Sequence, residues 1–79
     1  MELNEILTEL NVLFQKVLSN ESVVLKMETT ARDVDGWDSL NHMALITSIE
    51  EHYKIRFALK EIMKLKNVED MCRIIQSKI

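Results

Sequence analysis

The chain has 79 residues, 47% of them apolar and 29% charged, which fits one small globular domain over residues 1–79 rather than a disordered segment. A net charge of -3 argues against nucleic-acid binding, because contacts to phosphates draw on clustered Lys and Arg. No apolar run approaches the ~20 residues of a membrane span, the acidic N-terminus is unlike a signal peptide, and the single Cys72 cannot close an internal disulfide, so we expect a cytoplasmic protein without membrane insertion.

Helix breakers are almost absent, with one Gly and no Pro, which favours an all-α fold. The first predicted helix covers Glu2 to Leu18, where apolar residues recur at spacings of three and four. That stripe consists of Leu3, Ile6, Leu7, Leu10, Leu13, Phe14, Val17 and Leu18. Its predicted role is core packing alone.

A long segment without periodicity, Ser19 to Trp37, follows the first helix. Loops of this length are uncommon in compact domains and are often functional. Its apolar residues are expected to pin it to the core: Val23, Val24, Leu25, Met27 and Val34. The segment can be a connector across one end of a bundle, or it can present the residues that follow it, and both interpretations remain open.

The second predicted helix starts at a polar pair, with Asp38 as a good N-cap and Ser39 as the first helical residue. At 100° per residue, one face collects Leu45, Ile46, Ile49 and Tyr53 as the core side. The opposite face carries Leu40, Met43, Ala44 and Thr47, a second and mostly apolar strip that Glu51 extends. This second strip predicts a partner-docking surface, unless the end of the bundle or the third helix covers it.

Three side chains near this helix have mainly structural interpretations. His42 is expected at the edge of the core with its hydrogen bond satisfied, and His52 at the margin of the same face. Trp37 is expected to anchor the loop, with contact to a partner as the second possibility.

Two further helices complete the pattern. A short third helix is predicted from Leu59 to Leu65, with Ile62 and Leu65 facing inward. Asn67 is a good cap for the last helix, whose apolar stripe follows. That stripe consists of Val68, Met71, Cys72, Ile75 and Ile79.

The order of these elements resembles that of acyl carrier proteins over essentially the whole chain. The resemblance rests on Asp38-Ser39-Leu40 at the start of an amphipathic helix, on Ile49-Glu50-Glu51-His52-Tyr53 at its end, and on Asn67-Val68 at the start of the last helix. It implies a four-helix bundle with a short third helix and a long loop between helices 1 and 2. It also implies a 4'-phosphopantetheine arm, derived from coenzyme A and attached covalently to Ser39, whose thiol holds an acyl or aminoacyl group as a thioester.

The resemblance assigns roles to other positions as well. Asp38 would help the modifying transferase to orient a metal ion, and Leu40 would give that enzyme an apolar contact. Partner enzymes would dock on the second helix, here at Met43, Ala44, Thr47, Glu50 and Glu51, and candidate acyl-pocket residues on the third helix are Ile62, Met63 and Leu65. The chain would be a non-catalytic monomer with no metal site of its own.

One departure bears on the pathway. Fatty-acid carriers of this family usually have a strongly acidic second helix, whereas here Asn41, His42, Met43 and Ala44 occupy that surface. We therefore expect docking through apolar contact and a specialised rather than housekeeping member, in fatty-acid, polyketide or related biosynthesis. The implied partners are a phosphopantetheinyl transferase, an acyl-loading ligase or acyltransferase, and condensing or modifying enzymes.

Two other functional classes are alternatives to a carrier. An enzyme using Asp38, Ser39 and His42 lacks a Gly-x-Ser-x-Gly elbow, and so small a bundle offers little room for an enclosed substrate site. A small helical interaction module that is never modified differs from a carrier only through the resemblance.

Overall fold

Four α-helices, separated by one long loop and two short connections, make up the fold. The computed structural model describes residues 1–79 and contains α1 (Leu3–Val17), α2 (Ser39–Tyr53), α3 (Leu59–Met63) and α4 (Val68–Lys78). The predicted all-α class with a short third helix is confirmed. None of these helices combines the length and the apolar character that crossing a bilayer would need.

The helix ends differ slightly from the predicted ones because capping residues lie outside the helices. Glu2 is the N-cap of α1, and its N–H donates to the Glu5 carboxylate at 3.0 Å, so α1 begins one residue later than predicted. Leu18 is the C-cap and ends it one residue earlier. The predicted end of α3 at Leu65 is also too late, because the N–H of Leu65 bonds the carbonyl three residues back, at Ile62, rather than four.

The core forms where α1 packs against both α2 and α4. Its buried side chains come from all three of these helices, from the loop and from the α2–α3 connection. They are Ile6, Leu10, Phe14, Val23, Leu25, Trp37, Leu45, Ile46, Ile49, Ile55, Phe57, Val68, Met71, Cys72 and Ile75. Tyr53, the last residue of α2, packs against this core, but it is only partly buried and not a full member as predicted, and its ring lies edge-on to His52.

The long loop is held against α1 by side-chain amides. Asn11 accepts the N–H of Leu25 at 2.6 Å, and Gln15 donates to the carbonyl of Val23 at 2.9 Å. Val23 and Leu25 are buried as predicted, but Val24 is 72% exposed. An extended chain directs successive side chains to opposite sides, so Val24 could not share the inward direction of its two neighbours.

The same loop also caps α4. The carbonyls of Thr29 and Met27 accept the N–H groups of Val68 and Glu69, both at 2.9 Å, and the Asn67 side chain accepts a third N–H from the first turn. These bonds satisfy backbone donors that a helix start leaves free. They also fix the loop shortly before a single 3₁₀ turn, Ala31–Asp33, that leads toward α2.

Candidate functional site

The junction between the loop and α2 depends on a glycine. Gly36 has φ +87°, in the left-handed region where a side chain would be strained, and its carbonyl accepts the N–H of Asp38 at 3.0 Å. The resulting turn buries Trp37 and leaves Asp38 and Ser39 exposed at the start of α2.

Asp38 caps this helix as predicted. Its Oδ1 accepts the N–H of Asn41 at 2.8 Å, and its carbonyl accepts the N–H of His42 at 2.7 Å. The Asn41 side chain donates to the Gly36 carbonyl at 2.7 Å, which ties the turn to the helix. Replacing such a cap by Ala costs about 0.5–2 kcal/mol, so Asp38 stabilises the geometry in which Ser39 is presented.

Trp37 and His42 fasten the junction to the core. The Trp37 indole meets Phe14 edge-on at 4.9 Å between ring centroids, and its Nε1–H donates to His42 Nδ1 at 2.9 Å. Burial lowers the pKa of His42, which favours the neutral ring that this bond requires, since a protonated Nδ1 cannot accept. Trp37, the predicted anchor of the loop, and His42, predicted to have its hydrogen bond satisfied, are therefore bonded to each other.

An open groove runs beside Ser39, with a volume of about 460 Å³ and a lining of Ala31, Trp37, Asp38, Ser39 and His42. The Ser39 hydroxyl is exposed and has no hydrogen-bond partner in the protein, while His42 Nδ1 is occupied by Trp37. A serine nucleophile needs a positioned base. This arrangement supplies none, and instead leaves a free hydroxyl at a helix start, open to another enzyme.

The second strip of α2 is uncovered. Leu40 is 82% exposed and Met43 51%, and Ala44 and Thr47 are exposed as well. Neither the bundle end nor α3 covers these four residues, which we call the α2 strip.

The two glutamates expected beside the α2 strip are in different environments. Glu51 is exposed, whereas Glu50 is half-buried and its Oε2 accepts the N–H of Phe57 at 2.8 Å. Glu50 thus fastens the α2–α3 connection in addition to any contact with partners. Sequence reasoning missed this bond, and also missed Glu61, which accepts the N–H of Ala58 at 2.7 Å. A glutamate at the third position of a helix is a known capping signal that could have identified Glu61.

The three candidate pocket residues of α3 and the segment after it do not share one environment. Ile62 and Leu65 are half-buried against the core, while Met63 is 78% exposed. A small cavity of about 60 Å³ lies between Leu65 and the Trp37–His42 pair. Ile62 on α3 and Leu65 just after it therefore face the core, whereas Met63 lies on the surface.

Comparison with known proteins agrees with this arrangement. A family model described as a phosphopantetheine attachment site matches residues 13–75. The acyl carrier protein of Phytoplasma mali is 31% identical over 75 residues, covering 86% of this chain and 89% of that protein. The solution NMR structure of the holo acyl carrier protein from Geobacter metallireducens has a TM-score of 0.86 and 51% identity, and the match covers 91% of this chain and 83% of that one.

The match to the attachment-site model spans most of the chain, and the likeness to the Geobacter protein extends to the whole helix arrangement. The protein therefore belongs to the acyl carrier protein family, as a non-catalytic carrier with a 4'-phosphopantetheine prosthetic group.

Proposed function

We propose that Ser39 is the residue that carries the arm and that residues 1–79 act as one carrier domain. The observation that supports this most strongly is the unbonded, exposed hydroxyl of Ser39 at the first position of α2, beside an open groove. The attached group supplies a terminal thiol that holds acyl or aminoacyl intermediates as thioesters.

The residues around Ser39 suit this modification. Within a phosphopantetheinyl transferase, Ser39 Oγ would attack the pyrophosphate phosphorus of coenzyme A that is bonded to the pantetheine oxygen. The Oγ–P bond would form as the P–O bond to the second pyrophosphate phosphorus breaks, the hydroxyl proton would pass to the transferase, and adenosine 3',5'-bisphosphate would leave. The product is a phosphodiester anion at the N-terminus of a helix, where the dipole and free N–H groups favour negative charge. Asp38 keeps that helix start in place, and its exposed carboxylate is available to a metal ion bound by the transferase.

The partners dock around this point. We propose that the transferase contacts Leu40 and that loading and processing enzymes contact Met43, Ala44 and Thr47. Glu51 and the exposed part of the Glu50 side chain are the polar neighbours of these contacts. These partners are an acyl-loading ligase or acyltransferase and condensing or modifying enzymes. Support comes from the exposure of the α2 strip and from its lack of any covering element.

Ile62 and Leu65 are proposed to face the acyl chain, and Met63 to contribute from the surface if α3 moves outward. The half-burial of Ile62 and Leu65 and the shortness of α3 support this, because so short a helix has little stability of its own and depends on its tertiary contacts. We further propose a monomer in the cytoplasm, where the buried thiol of Cys72 stays reduced.

Intact-mass spectrometry tests the proposal. Incubation with coenzyme A and a phosphopantetheinyl transferase should add one arm to the native protein and none to Ser39→Ala. Ser48→Ala, on the same helix, is the matched control and should be modified normally. An arm on Ser39→Ala would refute the assignment, and a native protein that several transferases leave unmodified would favour the interaction-module alternative.

A further inference from the structure

Positive charge is concentrated in one part of this acidic protein. Residues 54–66 contain five of the ten Lys and Arg residues and one of the thirteen acids, a net charge of +4 within a chain of net charge -3. These cations are Lys54, Arg56, Lys60, Lys64 and Lys66. All five are exposed, and the three ion pairs of the protein use none of them.

The one acid of this stretch does not neutralise its lysines. Glu61 Oε1 accepts the N–H of Ala58 at 2.7 Å and pairs with Lys78 Nζ of α4 at 3.1 Å. Its carboxylate is therefore engaged by the backbone and by another helix. Neither Lys60 on α3 nor Lys64 at its C-cap forms an ion pair.

Exposed apolar side chains alternate with these lysines. Leu59 is 72% exposed and Met63 78%, and their spacing of four places them on one side of the helix turn. Two large apolar side chains that are so exposed and so close together are unusual for a surface that contacts only water.

A shallow depression lies between α3 and α4, with a volume of about 660 Å³. Met63 and Ile74 give it apolar walls, and Lys64 and Lys66 stand at its rim. Arg73 pairs with Glu69 at 2.8 Å, while Asp70 accepts the N–H of Lys66 at 3.0 Å and keeps its negative charge. Lys64 and Lys66 outnumber Asp70, so the charges outside ion pairs leave the depression net positive.

We propose that the surface formed by Leu59, Lys60, Met63, Lys64 and Lys66, which we call the α3 cationic surface, docks an acidic segment of a partner enzyme. An apolar side chain of that segment occupies the depression, and flanking carboxylates meet the three lysines. The inference rests on the proposed carrier function, and it adds a second contact region of opposite charge to the α2 strip.

The position of this surface favours an enzyme as its occupant. Lys66 lines the same 60 Å³ cavity as Trp37 and His42, so the C-terminal end of the surface adjoins the groove beside Ser39. An enzyme docked there would have the entrance of its active site next to the arm. A lipid bilayer could bury only two apolar side chains of this surface, Leu59 and Met63, and would leave the depression unfilled.

NMR chemical-shift mapping on the ¹⁵N-labelled protein tests the proposal with a defined probe, a short blocked peptide with one Leu flanked by Glu residues. We expect shifts in residues 54–66 and in the first turns of α4, absent with the same peptide carrying Gln for Glu. The Lys60→Glu/Lys64→Glu double variant should weaken peptide affinity by about tenfold or more, because two attractive contacts become repulsive. Lys16→Glu/Lys26→Glu is the matched control, since it makes the same charge change at two exposed cations elsewhere and should retain binding.

Two outcomes would overturn the inference: shifts that spread over all exposed cations, or affinity equal in the two double variants. Co-sedimentation with phosphatidylglycerol vesicles that depends on Lys60 and Lys64, without peptide binding, would assign the surface to membranes instead. The mapping is performed on Ser39→Ala as well as on the native protein. Peptide binding does not need the arm, so failure here leaves the modification of Ser39 unaffected, and failure of modification leaves this result standing.

Discussion

Leu40 and Leu45 lie on the same helix and offer a matched test of its two faces. Leu45 is fully buried and Leu40 is 82% exposed. Leu45→Ala deletes buried methyl groups and leaves a cavity, which should lower the free energy of unfolding by about 2–5 kcal/mol. Leu40→Ala removes nothing from the core and should change that free energy by less than about 0.5 kcal/mol.

The order reverses for transfer of the arm. Burying an exposed Leu in an interface contributes about 1.5–3 kcal/mol, and truncation to Ala forfeits most of it. We therefore expect Leu40→Ala to lower kcat/KM of a phosphopantetheinyl transferase by about fivefold to thirtyfold. Folded Leu45→Ala should react almost normally.

Urea denaturation followed by circular dichroism gives the stability, and initial rates with varied carrier concentration give kcat/KM. Leu45→Met, which conserves volume and should cost less than about 1.5 kcal/mol, serves as the control if Leu45→Ala does not fold. The reasoning fails if Leu40→Ala is strongly destabilised, or if it leaves transfer unchanged while Leu45→Met impairs it.

Three further predictions follow from individual contacts. Met43→Ala should lower kcat/KM for a cognate acyltransferase or ligase about fivefold or more, because a buried Met side chain contributes about 1.5–3 kcal/mol. Glu51→Gln should lower it less, because exposed ion pairs contribute up to ~1 kcal/mol, and a larger effect of Glu51 would indicate docking through acids. Burial lowers the pKa of His42, so the folded protein binds a proton on this ring less readily than the unfolded chain does. The free energy of unfolding should therefore hold above pH 6.5, the ordinary pKa of the ring, and fall as the pH drops below that value. Urea midpoints at about pH 8 and about pH 5.5 should then differ less in His42→Asn than in the native protein, and an equal difference would contradict the lowered pKa. Burial raises the pKa of the Cys72 thiol to about 11, so this thiol should not react with a disulfide reagent at about pH 8. The reagent should therefore detect no thiol in the native apo protein and one, that of the arm, in the holo protein. A reactive thiol in the apo protein would show that Cys72 is accessible.

The periodic parts of the chain were predictable. Helical spacing identified Leu10, Phe14, Leu45 and Ile49 as core residues, because an apolar face at period 3.6 has to be buried against something. Capping chemistry placed the start of α2 at Ser39, since Asp38 is a short acceptor directly before a helical pattern.

Contacts between elements were less accessible to sequence reasoning. The alternation at Val24 was missed because a loop has no period from which to read the direction of a side chain. The bond from Trp37 to His42 crosses a turn whose path depends on the left-handed Gly36, so neither residue alone indicated the pair. The half-burial of Glu50 depends on the tertiary fold, which brings the backbone of Phe57 back beside α2.

Tandem mass spectrometry of the holo protein tests the central claim most directly. Cleavage after Arg32 and Lys54 releases one peptide that holds Ser39 together with Thr47 and Ser48, the other aliphatic hydroxyl residues of α2. The account predicts fragment ions that place the whole arm on Ser39, with Thr47 and Ser48 unmodified. An arm located on either of those two residues, or on any other peptide, would contradict it.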